Sequence, residues 1–167
     1  TLGIAAGGYR TKTSRIIREH APDEFGGRLP LVFDHRTASA SGVALAMGMM
    51  VDSLDGHDGF NPAKGHIGCP LISALIPVAN ELDVSGLAFL EAIGIGYEIG
   101  ARTSVAQHGT CPDYHTSGSW GAVAAAAAVS RLMGLDRETT RHAIGIAEYH
   151  GPRSQMMRCI DFPTMLK

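Results

Sequence analysis

Strand-forming signals are scarce in this chain. Aromatic residues make up only 6% of it and alternating β-branched runs are nearly absent, which excludes a sandwich or barrel built on a large sheet. Charge is also thin, at 18%, and is never gathered into a run of one sign. With a net charge of −2 and a pI near 6.4, the chain has no basic footprint for nucleic acid or for an anionic membrane. The longest apolar run, residues 121–129, is mostly alanine and falls far short of the roughly 20 residues that span a bilayer. The chain has no charged-then-apolar signal segment at its start. Three cysteines, Cys69, Cys111 and Cys159, are an odd number, which argues against a disulfide framework and for a reducing cytoplasm.

What is present is apolar and helical. Hydrophobic residues are 45% of 167, enough for one domain with its own core. Arg10 to His20 has a polar helical pattern that Pro22 is expected to stop. Ala38 to Leu54 is apolar and rich in small residues, ending at Asp55-Gly56, and its Met47, Met49 and Met50 are core filler. Ile67 to Leu82 tolerates Pro70 in its first turn. Ser85 caps a long helix reaching about Gln107, and Asp136 caps one from Arg137 to about Tyr149. Between them Ser117 to Met133 is apolar nearly all round, as in a helix buried within a bundle.

Leu29 to Phe33 is the best strand candidate, weakened by Pro30. No sheet of three or more strands is expected. Gly94, Gly96, Gly100, Gly121 and Gly145 all fall inside helical patterns. Each costs about 1 kcal/mol against alanine, and close helix-on-helix approach is the expected compensation. The fold class expected is an all-α helical bundle, with residues 1–167 forming one helical domain. Thr1 opens inside an apolar helical pattern and Lys167 has no polar tail behind it, so the chain reads as a piece of a longer protein.

Two segments concentrate chemistry. The first is Asp55-Gly-His-Asp58-Gly-Phe-Asn-Pro-Ala-Lys-Gly-His66, two carboxylates and two imidazoles between two apolar helices. A solvated loop would serve the same sequence. Anchoring against a core, however, would let burial and neighbouring charges tune the pKa values. The second is Cys111-Pro-Asp-Tyr-His115-Thr-Ser-Gly-Ser-Trp-Gly121, just before the most apolar helix. Helix-start amides there could bind a carboxylate, or the segment could be a cap and nothing more.

His66-x-x-Cys69 with Cys111-x-x-x-His115 invites a zinc reading, which we set aside. The pairs lie far apart, Cys69 falls in an apolar helix, and buried thiols usually act as small hydrophobes. No metal or cofactor is expected. Gly94-Ile-Gly96-Tyr-Glu-Ile-Gly100 has the wrong spacing for a dinucleotide loop and follows helix. Ser119 lacks the upstream glycine of a nucleophile elbow.

Several stretches in this order resemble the MmgE/PrpD family of lyases and isomerases of small polycarboxylic acids. They are Ser41-Gly-Val-Ala-Leu-Ala, the Asp55–His66 loop, Ala88-Phe-Leu-Glu-Ala-Ile-Gly-Ile-Gly-Tyr-Glu-Ile, Tyr114-His115 ahead of Gly121-Ala-Val-Ala-Ala-Ala-Ala, Leu132-Met-Gly-Leu-Asp136 and His142-Ala-Ile-Gly-Ile-Ala. The resemblance implies the helical domain of such an enzyme, with its remainder and a smaller lid domain beyond residue 167. It also implies metal-independent acid–base chemistry in a homodimer, with a small polycarboxylate as partner.

Carried over by position, Asp55 and Asp58 match acids of the family's Asp-x-Asp-Asp-Thr motif. His66 closes that loop, His115 precedes the alanine-rich helix, and Lys167 matches a lysine that meets substrate carboxylate. Gly59 and Phe60 depart from the motif, and the loop is one residue longer. The mechanism implied uses His66 or His115 as acid or base, Asp55 to orient it, and Lys167 with helix-start amides to bind carboxylate. A carbon–oxygen lyase of the 2-methylcitrate dehydratase type is the first expectation, and epimerisation or decarboxylation would use the same parts. The non-enzyme alternative is a degenerate helical domain kept for oligomer contacts. The isolated piece is expected to be inactive.

Overall fold

Four polar side chains set the helix starts. Thr11, Ser39, Ser85 and Asp136 each stand in extended backbone and accept a hydrogen bond from the amide three residues on. Such a bond satisfies one of the amides that the first helical turn leaves unpaired. In the computed structural model, which describes residues 1–111 and 116–151, the helices they open are α2 (Lys12–Glu24), α3 (Ala40–Asp52), α5 (Gly86–Thr110) and α7 (Arg137–His150). With α1 (Leu2–Gly8), α4 (Gly68–Glu81) and α6 (Gly118–Leu132) they make the described part an all-α bundle of seven helices.

The strand candidate shrinks to β1 (Leu29–Pro30), paired antiparallel with β2 (Thr37–Ala38). Among the described residues no larger sheet forms. Ala38 therefore lies in β2, and α3 begins two residues later than its apolar pattern suggests. Pro22 does not stop α2, which runs one turn past His20. A proline in a last turn removes only one interior bond, and the Phe25 amide still closes the helix on the Ala21 carbonyl. Pro77 likewise sits inside α4, with its ring fully buried.

The core has three parts. Ala21, Leu29, Leu31, Val43 and Ala46 join α2 and the hairpin to α3. Met47, Met50 and Val51 of α3 pack on Ala5 of α1 and Cys69 of α4, which bears out the reading of Met47 and Met50 as core. Ile67, just before α4, and Leu71 and Leu75 of α4 meet Ala92 of α5 and the fully buried Trp120 and Ala128 of α6. Helix α6 packs on α4, α5 and α7, the buried central place its sequence implies.

Close approach accounts for some of the helical glycines. A Cβ on Gly96 would collide with Leu71, on Gly100 with Ile67, and on Gly121 with Pro70. Gly94 and Gly145 differ: a Cβ at either meets nothing within 4 Å. For these two the expected packing is not found among the described residues.

Candidate active site

The loop between α3 and α4 folds back on itself and is tied to the start of α6. The Phe60 amide donates to the Gly65 carbonyl at 3.1 Å, and a single 3-10 turn over Asn61–Ala63 buries Ala63 beneath it. Gly65 passes so close to α6 that a Cβ there would lie 2.6 Å from Ser117 Oγ and 2.8 Å from the Trp120 ring. The loop ends at His66, which is held at three points. Its amide donates to Ser117 Oγ at 2.9 Å and its carbonyl accepts from Trp120 Nε1 at 2.9 Å. Its ring Nδ1 lies 2.5 Å from the Asp58 carbonyl oxygen.

That last contact fixes the tautomer. A carbonyl oxygen only accepts, so Nδ1 must carry the hydrogen. In the neutral ring Nε2 then holds the lone pair, the state a general base needs.

Asp58 serves the loop and the helix together. Its Oδ1 accepts from the Gly68 amide at 2.9 Å, and α4 has no side-chain cap from its own N-cap residue, Ile67. A carboxylate at a helix start is favoured by the helix dipole as well as by the bond. The Tyr97 hydroxyl of α5 meets the same carboxylate. Burial first, and then the Asp58 charge and hydrogen bond, push the phenol up to about 12, so it stays a neutral donor at ordinary pH. Gly68 is needed here, since a Cβ would run into the Tyr97 hydroxyl and Asp58 Oδ1.

Asp55 sits with φ at 49°, one residue before Gly56, which packs under Ile4 of α1. Its side chain is 78% exposed, and Oδ1 lies 3.4 Å from His57 Nε2. The same nitrogen lies 3.3 Å from Asp52 Oδ1 at the end of α3. His57 is nearly buried, with a side chain only 8% exposed. The Asp52 carboxylate, and after it the Cys69 thiol beside the ring, hold its pKa at about 9 against the pull of burial. The imidazole therefore carries its proton at neutral pH. Its ring stacks on His66, with centroids 4.5 Å apart and planes 23° from parallel. The Cys69 thiol itself points to the Gly48 carbonyl, 3.6 Å away.

Of the residues expected from sequence, Asp55, Asp58 and His66 lie in this one loop. Asp58 and His66 bond directly, through the Asp58 backbone. Asp55 reaches His57. His115 and Lys167 lie outside the described residues, as does Cys159. His57 and Tyr97 carry no role in the sequence reading, although both lie in segments it singles out. Asp52 and Asp55, five and two residues before His57, were the available signal for that residue. Tyr97 offered none, because only the fold brings α5 against the loop. Among the described residues no three His, Cys, Asp or Glu side chains converge as metal ligands, and no helix is long and apolar enough to cross a membrane.

The described part is thus a helical bundle with an acid–imidazole loop at the start of α4, tied to the start of α6. The chain matches the MmgE/PrpD N-terminal domain over residues 1–160 and belongs to the MmgE/PrpD family. A cis-aconitate decarboxylase-like protein of Aspergillus oryzae, oryM, is 29% identical over 149 residues, covering 83% of this chain. The chain spans 30% of the length of that relative.

Proposed function

We propose that this chain is the N-terminal helical part of an enzyme that moves a proton at carbon next to a carboxylate in a small di- or tricarboxylic acid. The observation that carries the reading is the three-point anchoring of His66, whose Nδ1 is committed to a carbonyl; in this reading Nε2 meets the substrate. Asp58 holds the loop in place, and Tyr97 is a neutral donor beside it. His115 and Lys167 join the site in the complete protein, Lys167 binding carboxylate and offsetting charge as an enolate-like species develops. The rest of the helical domain and a lid domain follow residue 167, and the complete protein acts as a homodimer in the cytoplasm.

Dehydration of a 2-methylcitrate-type substrate is the first reading. Removal of the proton next to a carboxylate and departure of hydroxide from the neighbouring carbon require one base and one acid, which two histidines supply. Decarboxylation of cis-aconitate is the second, favoured by the relative oryM, a cis-aconitate decarboxylase-like protein. Incubating the full-length protein with each acid, and following products by proton NMR and carbon dioxide release, separates the two. Replacement of the 2-methylcitrate methyl doublet by a singlet without gas supports dehydration, and gas from cis-aconitate supports decarboxylation. No turnover of either acid would overturn both.

A further inference from the structure

We infer that His57 is a positioning residue for His66, forming the wall that keeps the His66 ring turned so that Nε2 faces substrate. The inference rests on the proposed role of His66. A single hydrogen bond at Nδ1 leaves an imidazole free to tilt about that bond. The second constraint is the flat face of His57, stacked at 4.5 Å and 23°.

That face is itself immobilised. His57 Nε2 lies between Asp52 Oδ1 at 3.3 Å and Asp55 Oδ1 at 3.4 Å, and the side chain is all but buried. Burial and this pairing leave His57 unsuited to touch substrate directly. Simple space-filling does not explain it either. Its Nε2 meets two carboxylates and the Cys69 thiol stands beside the ring, polar contacts that an apolar side chain would not make. Ring shape and a grip on Asp52 are what histidine offers here.

Two variants of the full-length protein separate these properties. His57→Phe keeps the flat ring and loses the nitrogen that meets Asp52. His57→Gln keeps a donor for Asp52 and loses the ring. Long-range proton–nitrogen NMR of the imidazoles, recorded on the ligand-free protein, reads the His66 tautomer without any assay. His66 should show the Nδ1–H form in the wild type and in His57→Phe, and a mixture of tautomers in His57→Gln. With cis-aconitate or 2-methylcitrate, whichever is turned over, kcat of His57→Gln should fall roughly 10-fold or more with little change in KM, since misplacing a catalytic group has costs of that order. His57→Phe should recover most of the rate. An unchanged His66 pattern in His57→Gln would overturn the inference, as would release of His66 in His57→Phe alone. If the tautomer follows the ring while His66→Ala leaves turnover intact, positioning stands and the proposed role of His66 falls.

Discussion

His57 keeps its proton through the neutral range because Asp52 and Cys69 raise its pKa from an ordinary 6.5 to about 9. A group whose pKa is raised on folding adds stability that is fully present below its unfolded value and is lost as pH rises through the folded one. The contribution of His57 is therefore complete below about pH 6.5 and fades as pH approaches and passes 9. Thermal melts of the full-length wild type and of His57→Phe across that interval test this. The stability difference between them should shrink, or turn in favour of the variant, as pH climbs. A constant difference would place the His57 charge outside the stability of the fold. Sequence alone puts two imidazoles in the loop but not face to face, because stacking depends on the hairpin-like closure at Phe60 and Gly65.

Helix starts were legible because their signals are local. Ser85 and Asp136 bond amides three residues on, at 3.2 and 2.8 Å, and nothing distant is needed to form those caps. The ends were less legible. Pro22 and Pro77 are local breakers that α2 and α4 tolerate: Pro22 lies in the last turn of α2, where the Phe25 amide still reaches the Ala21 carbonyl, and the Pro77 ring is buried in the bundle.

Glycine divides in the same way between local and distant causes. A Cβ on Gly8 would strike the Met50 carbonyl of α3, a backbone atom that cannot swing aside. Gly8→Ala should cost about 1–3 kcal/mol by forcing α1 from α3. A Cβ on Gly94 meets nothing, so Gly94→Ala should gain about 0.5–1 kcal/mol through helix propensity. Urea denaturation of both variants decides this, and the same sign of change in both would contradict the packing described.

At the scale of the molecule, the described bundle exposes large apolar side chains. Leu87 and Leu90 on α5 and Ile146 and Tyr149 on α7 are each more than 60% exposed. Apolar surface of this kind invites association. The 167-residue piece studied alone should be inactive and should elute by light-scattering chromatography above its 17.6 kDa mass. A monodisperse, active monomer would mean that the pocket is complete within these residues.

The fold class and the loop with Asp55, Asp58 and His66 were readable from the chain because they are contiguous. Tyr97 and the anchoring by Ser117 and Trp120 were not, since 31 and more positions separate them from His66 and only the packing of α5 and α6 on α4 joins them. The role proposed for His66 is transfer of the proton. The most direct measurement is turnover by full-length His66→Ala on the substrate that the wild type converts. A fall in kcat on the order of 10² or more, with a melting temperature near that of the wild type, is the predicted result. A rate close to the wild type in a folded variant would contradict the account.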